Sequence, residues 1–268
     1  MSLSEKNVLI TGASMGIGAA MARRLAKENA NLILFARSED KLAQLRDHIR
    51  KSNNTKVVIH AVDITSHDHL EAAVRSVVQE LGPIDILINN AGLALGAPNA
   101  FPDLKLSDIV TMTSTNINGL MFATYAVLNT GGMRARARGT ILNVTSVTAL
   151  EVPPFPGEAV YHASKAAQEG FTNALRTELV ETNIKVLAVR PGVVATNFHE
   201  QRVGYDKDMY DGFVQGYEPL AAEEVADAAA FMLAQKESVS IKALDVVPTA
   251  QRSLSVFDRT WNERNSGP

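Results

Sequence analysis

A tyrosine and a lysine four residues apart form the side-chain pair in this sequence best suited to proton transfer. Tyr161 and Lys165 stand near the start of a long helical pattern, and side chains at this spacing share one helix face. A free phenol has a pKa of about 10, so it transfers protons poorly near neutral pH. A buried ammonium one turn away predicts a phenol pKa lowered toward neutrality, a change of about 4 kcal/mol. The alternative is a half-buried tyrosine beside a surface lysine.

Short apolar runs alternate along the chain with helical patterns, and this alternation must position the pair. It predicts an α/β fold with a three-layer, doubly wound parallel sheet of about seven strands. The predicted strands are 7–11, 31–36, 56–62, 84–88, 139–145, 184–189 and 242–247. The predicted helices include 66–81, 104–129, 158–182 and 221–235. Residues 193–217 have poor periodicity, which predicts a mobile segment that covers a pocket.

The chain shows no internal repeat and no linker, so residues 1–268 are interpreted as one domain. Within it, we expect a cofactor-binding half over 1–150, a catalytic helix and substrate loop over 151–250, and a tail over 251–268. The net charge of −3 gives no reason to expect nucleic acid or an anionic membrane as partner. No cysteine is present, so a thiolate metal site is excluded, and no metal is predicted. The first residues lack an apolar leader and no run reaches membrane-spanning length, which predicts a cytoplasmic protein.

Three glycines follow the first predicted strand. Gly12, Gly16 and Gly18 lie between that strand and the first helix, where missing side chains let the backbone approach a pyrophosphate at a helix N-terminus. In a doubly wound sheet, dinucleotides bind at the carboxyl end of such a strand. A tight structural turn is the alternative for the glycines alone.

The second predicted strand ends with Arg37 and Ser38. An NAD enzyme needs an acidic group here for the ribose hydroxyl, whereas a guanidinium beside a hydroxyl suits a 2′-phosphate. The sequence therefore favours NADP(H) over NAD(H) as cofactor. A surface arginine beside a helix cap is the alternative.

Taken together and in order, these motifs resemble the short-chain dehydrogenase/reductase family, in its single-domain Rossmann-fold branch. The residues that carry the resemblance are Thr11–Gly18, Asn89–Gly92, Asn116, Ser146, Tyr161, Lys165, Pro191, Gly192 and Thr196. The last third is similar to a narrower branch, the NADP-dependent 3-hydroxy acid (serine and allo-threonine) dehydrogenases. The segments behind this second resemblance are Glu178–Lys185, Pro191–Phe198, Arg202 and Ala243–Gln251.

The resemblance implies a role for each matching residue in an NADP(H)-dependent interconversion of an alcohol and a carbonyl. It implies that Tyr161 transfers the proton, Lys165 lowers the phenol pKa and Ser146 donates to the substrate oxygen. Asn116 would hold a water that links Lys165 to solvent. The implied cofactor-binding residues are Gly12, Ser14, Met15, Gly16, Ile17, Gly18, Arg37, Ser38, Asp63, Ile64, Asn90, Ala91, Gly92, Tyr161, Lys165, Pro191, Gly192, Val194 and Thr196.

The sequence departs from the family pattern between the serine and the tyrosine. Fourteen residues lie between Ser146 and Tyr161, more than the family usually has, and strict counting would select Thr148 instead. We place the serine by its strand context and interpret Pro153–Pro156 as an insertion that reshapes the substrate pocket. Leu150 stands where the narrower branch often carries an arginine.

These departures leave the substrate open. The resemblance favours a small 3-hydroxy or 3-oxo acid, with Arg202 as a bidentate partner of its carboxylate. The alternatives are a reductase of apolar ketones or aldehydes and a non-catalytic NADP-binding sensor. A protein of this last kind would be expected to lose the tyrosine, the lysine or the serine, yet all three are kept.

The resemblance also implies a homodimer or homotetramer that assembles through the helices around 104–129 and 158–182. Leu254, Phe257 and Trp261 in the tail are expected to dock either on a neighbour or on their own subunit.

Overall fold

The computed structural model describes residues 2–153, 156–202 and 206–265. Seven parallel strands form one sheet in the order β3-β2-β1-β4-β5-β6-β7. They are β1 (Asn7–Thr11), β2 (Asn31–Ala36), β3 (Val57–Ala61), β4 (Ile86–Asn89), β5 (Arg138–Val144), β6 (Asn183–Pro191) and β7 (Ala243–Val246). The predicted fold class and strand number are confirmed, and each strand lies within a few residues of its predicted bounds.

Helices cover both faces of the sheet. They are α1 (Gly16–Ala26), α2 (Glu39–Ser52), α3 (His67–Leu81), α4 (Leu106–Thr113), α5 (Leu120–Asn129), α6 (Ala159–Glu178), α7 (Asn197–Arg202), α8 (Lys207–Val214), α9 (Ala222–Leu233) and α10 (Trp261–Asn265). Helices α1, α2 and α9 share one hydrophobic core, and α3, α5 and α6 share the other. In β1, Val8 and Ile10 enter the first core while Leu9 enters the second, so the apolar run has no polar face.

The segment 104–129 is largely helical, as predicted, but it is not regular throughout. A π-helical turn over Ser114–Gly119 joins α4 to α5. The buried Asn116 lies inside this turn and bonds with both backbone groups of Leu93. Because a local pattern cannot show such a distant partner, periodicity alone does not reveal the extra residue in the turn.

Residues 193–217 are more regular than predicted, since they contain the short helices α7 and α8. The neighbouring Pro153–Pro156 insertion lies partly outside the described residues, because its two central positions, 154 and 155, are not described.

The tail folds back on its own subunit, which answers one of the questions that the sequence left open. Leu254 is buried, and Phe257 stacks on Tyr217 with ring centroids 5.0 Å apart. Gly216 has a φ of +86°, and a Cβ there would lie 1.9 Å from the carbonyl oxygen of Arg259. A glycine therefore lets the tail approach this segment closely. Within the described parts of the chain, none of the helices has the length and apolar character needed to cross a membrane.

Candidate functional site

A cavity of about 740 Å³ opens at the carboxyl ends of the central strands. Nearly all of the residues predicted to act in catalysis or binding line it. They are Gly12, Ser14, Met15, Gly16, Ile17, Arg37, Ser38, Asp63, Ile64, Asn90, Ala91, Gly92, Ser146, Tyr161, Lys165, Pro191, Gly192, Val194, Thr196 and Arg202. Gly18 and Asn116 are not part of the cavity wall. The sheet thus brings residues from across the chain to one edge.

The turn after β1 has the geometry of an anion site. Gly12 and Gly16 have φ angles of +65° and +55°, which side chains rarely tolerate. A Cβ on Gly12 would lie 2.7 Å from the Cα of Ala91, so that position is also too crowded for a side chain. The first turn of α1 carries no acidic residue, so its backbone N–H groups and helix dipole favour a negatively charged group.

Asn90 holds this turn against the end of β4. Its side-chain amide donates to the carbonyl oxygens of Thr11 (3.0 Å) and Gly12 (3.1 Å). A Cβ on Gly18 would lie 2.5 Å from the Asn90 amide nitrogen. Gly18 therefore serves close packing behind the turn.

The far end of the cavity is cationic. Arg37 and Ser38 are exposed just after the end of β2. Lys41, in the first turn of α2, also lines the cavity wall. Opposite them, burial raises the pKa of Asp63, but hydrogen bonds from Thr65 and the charge of Arg37 outweigh it and lower that pKa overall. We did not predict Lys41 from the sequence, although its position in the first turn of a helix that follows Arg37 was an available signal.

The other end of the cavity contains Tyr161 and Ser146. Tyr161 is 6% exposed, and its hydroxyl hydrogen-bonds with the side chain of Ser146. The Ser146 oxygen also accepts from the backbone N–H of Thr148 (3.1 Å), which fixes its position at the end of β5. Thr148 lines the cavity as well, but Ser146 is the residue that reaches the phenol.

Lys165 lies one helical turn beyond Tyr161 and is 5% exposed, so it is not a surface lysine. Its ammonium donates to the carbonyl oxygen of Val144 (3.0 Å) and to the side chain of Gln168 (3.1 Å). Gln168 in turn donates to the backbone carbonyl of Asn116 (2.6 Å). The Gln168 side chain thus connects Lys165 to the backbone of Asn116, and the water implied at Asn116 stays a prediction.

The structure does not show the lowering of the phenol pKa that was predicted for Lys165. Burial raises the pKa of Tyr161 to about 12, while Arg202 and the hydrogen bond with Ser146 act in the opposite direction. Burial likewise lowers the pKa of Lys165 to about 8. The ammonium lies 5.8 Å from the centre of the tyrosine ring and is directed at other acceptors, which explains why desolvation dominates both groups.

Arg202 reaches the cavity at the predicted place but in an unpredicted pairing. Its guanidinium, 6.0 Å from the centre of the Tyr161 ring, donates to the carboxylate of Glu158. Both residues are buried, at 5% and 3% exposure. Glu158 directly precedes α6, and nothing in the local sequence indicated that it would meet α7.

Comparison with known proteins agrees with the motifs. A family model described as short chain dehydrogenase matches residues 6–205. This chain belongs to the short-chain dehydrogenase/reductase family.

Relatives of this short-chain dehydrogenase/reductase match nearly its whole length. A Schizosaccharomyces pombe NADP-dependent 3-hydroxy acid dehydrogenase is 37% identical and covers 93% of this chain and 95% of its own. Sulfoacetaldehyde reductase 2 of Chromohalobacter salexigens is 39% identical, with 91% and 94% covered. The closed form of a serine dehydrogenase complexed with NADP+ superposes with a TM-score of 0.84 at 32% identity, covering 92% of this chain and 96% of that one. These matches confirm the family and the narrower resemblance drawn from the last third.

Several cavity residues of this short-chain dehydrogenase/reductase were not singled out from the sequence. Phe198 packs against the Tyr161 ring at 5.6 Å between centroids, and Phe213 and Leu254 also line the cavity. Their apolar character was visible, but their proximity depends on how α7, α8 and the tail fold over the sheet.

Proposed function

We propose that this protein is an NADP(H)-dependent oxidoreductase that interconverts an alcohol and a carbonyl compound in the cavity. The observation that carries this proposal is the buried Tyr161 hydroxyl bonded to Ser146, with Lys165 one turn away, in the same cavity as the glycine turn. A non-catalytic sensor would have no use for these three side chains together.

The cavity suits a phosphorylated dinucleotide. Its glycine turn packs closely against Ala91, and the first turn of α1 offers backbone N–H groups to a pyrophosphate. Arg37, Ser38 and Lys41 offer a charged fork, a hydroxyl and an ammonium to a 2′-phosphate. One relative named above, the 3-hydroxy acid dehydrogenase, is described as NADP-dependent. Another, the serine dehydrogenase, is complexed with NADP+ in its structure.

NADPH held by these residues would supply the hydride for the substrate carbon. The protein's own residues act on the oxygen of that carbonyl. Tyr161 donates its hydroxyl proton to the oxygen in reduction and takes it back in oxidation. Ser146 holds the same oxygen through its hydroxyl, and Lys165 places a positive charge near the phenol as its proton leaves.

Because burial raises the pKa of Tyr161 to about 12, the phenol keeps its proton at neutral pH and can act as the acid in reduction.

Two classes of substrate remain candidates. The relatives are named for a 3-hydroxy acid, for serine and for sulfoacetaldehyde, which supports a small hydroxy or oxo acid held by Arg202. One observation favours an uncharged ketone or aldehyde instead, since Arg202 already pairs with Glu158.

Assembly as a homodimer or homotetramer and a location in the cytoplasm stay predictions. The exposed apolar side chains Leu106 on α4, Tyr125 on α5 and Val180 just after α6 support assembly through these helices.

The test of the proposed function is the loss of NADPH absorbance with a panel of 3-oxo acids, ketones and aldehydes. Tyr161→Phe removes only the proton donor, so turnover should fall by about 10²- to 10⁴-fold while NADPH still binds. Tyr125→Phe makes the same change at an exposed tyrosine and should keep the wild-type rate. Equal rates for the wild type and Tyr161→Phe would remove the mechanism, and NADPH binding without any turnover would favour a sensor.

A further inference from the structure

The charge of the substrate end of the cavity depends on two residues, Glu158 and Arg202. Among the described residues that line the cavity, the cationic ones are Arg37, Lys41, Lys165 and Arg202. Arg37 and Lys41 lie at the far end, and the Lys165 ammonium is directed at Val144 and Gln168. Arg202 is thus the cationic side chain placed to meet an anionic group of a substrate at Tyr161.

Glu158 supplies a carboxylate to that guanidinium from within the protein. The ion pair joins the N-cap residue of α6 to the last residue of α7, 44 positions apart. With both side chains almost fully excluded from solvent, their charges interact in a medium of low effective dielectric constant. The pair presents a net charge of zero to the cavity.

Apolar side chains pack beside Tyr161. Leu93 and Phe198 belong to the same hydrophobic cluster as this tyrosine, and Val147, Phe213 and Leu254 also line the cavity. An anionic substrate would have to leave water for this wall and also compete with Glu158 for the guanidinium. A neutral carbonyl compound meets neither obstacle.

We propose that Glu158 is a specificity-determining residue that neutralises Arg202 and so selects an uncharged ketone or aldehyde over a 3-oxo acid. This inference rests on the proposed reduction at Tyr161. It separates the chain from its relatives that are named for hydroxy acids, because the arginine expected to bind an acid is held by a carboxylate of the protein itself.

Acetoacetate and its methyl ester test the inference, since they share the reacting carbonyl and differ in charge. With NADPH as reductant, we expect the wild type to have a kcat/KM for the ester about tenfold or more above that for the acid. Glu158→Gln leaves the Arg202 charge without the glutamate and should raise the acid-to-ester ratio by about tenfold. Glu178→Gln removes the same charge from the exposed far end of α6 and should keep the wild-type ratio.

A second variant covers the case in which Glu158→Gln fails to fold. The double variant Glu158→Leu with Arg202→Met removes both charges and keeps the cavity neutral, so the preference for the ester should persist. Circular dichroism and NADPH fluorescence titration establish that each variant is folded and binds the nucleotide.

Three results would overturn the inference: a wild type that prefers the acid, an unchanged ratio in folded Glu158→Gln, or a double variant that loses the ester preference. Failure of the proposed function would look different. In that case the wild type would bind NADPH and reduce neither these two compounds nor any member of the substrate panel, which would remove both proposals.

Discussion

The ammonium of Lys165 donates a 3.1 Å hydrogen bond to the side chain of Gln168, three residues further along α6. The side-chain amide of Gln168 donates in turn to the backbone carbonyl of Asn116 in the π-helical turn. The lysine is therefore positioned by a side chain that can be changed, while the Asn116 contact is made by backbone.

Replacing Gln168 with leucine should reduce kcat/KM for carbonyl reduction by about tenfold, because a buried ammonium loses one acceptor. Losing an acceptor also disfavours the charged lysine, so the alkaline limb of the rate profile should move to lower pH. Stopped-flow or steady-state measurements of NADPH oxidation from about pH 6 to about pH 10 give both effects. Gln235→Leu, at a half-buried glutamine just after α9 and away from the cavity, is the control. An unchanged rate and pH profile would show that Gln168 has a packing role alone.

Arg37→Asp should weaken NADPH binding by about 2 to 4 kcal/mol, since a charge-assisted contact is lost and repulsion is added. NADH lacks the 2′-phosphate, so its affinity should change much less. Fluorescence titration with both nucleotides gives the comparison, and Arg46→Asp applies the same charge change on α2 away from the cavity. Retained wild-type preference in Arg37→Asp would make this arginine an ordinary surface residue.

Lys165→Met should alter stability in a manner that depends on pH. Burial lowers the pKa of Lys165 from 10.5 to about 8, so below pH 8 the lysine is charged in both the folded and the unfolded chain and its burial is fully unfavourable. Between these two pH values the folded chain has released the proton while the unfolded chain still binds it, so the penalty falls steadily and is gone above pH 10.5. Below pH 8, Lys165→Met should therefore raise the free energy of unfolding by on the order of 3 kcal/mol relative to the wild type. This gain should shrink as the pH rises toward 10.5. Urea unfolding at several pH values tests this, and a constant difference would contradict the burial of a charged lysine.

Arg259→Ala should loosen the cover of the cavity. The guanidinium donates to the carbonyl oxygens of Phe213 (2.5 Å) and Gln215 (3.0 Å) and lies over the rings of Tyr217 and Phe257. Losing these contacts should speed hydrogen exchange in 206–217 and raise KM several-fold with little change in kcat. Arg252→Ala, at an exposed tail arginine, should leave both unchanged. If the two variants behaved alike, the tail would not hold the segment through Arg259.

Much of the fold and of the nucleotide end of the site could be predicted, because the signals there are local. Each signal spans only a few neighbouring residues. The signals are the three glycines after β1, the pair Arg37 and Ser38, and the pair Tyr161 and Lys165 one helical turn apart. The alternation of strands and helices then places all of them at the carboxyl edge of one sheet, since parallel strands end there.

What the sequence by itself determined was therefore the family, the sheet and most of the polar residues and glycines that meet in the cavity. Only the tertiary structure decided the pairing of Glu158 with Arg202, the π-helical turn at Asn116, the contact of Gln168 with Lys165, and the direction in which the phenol pKa moves. The physical reason is the same in each case. Ionisation and ion pairing depend on desolvation and on partners brought together from distant positions, and neither quantity is present in a local pattern of residues.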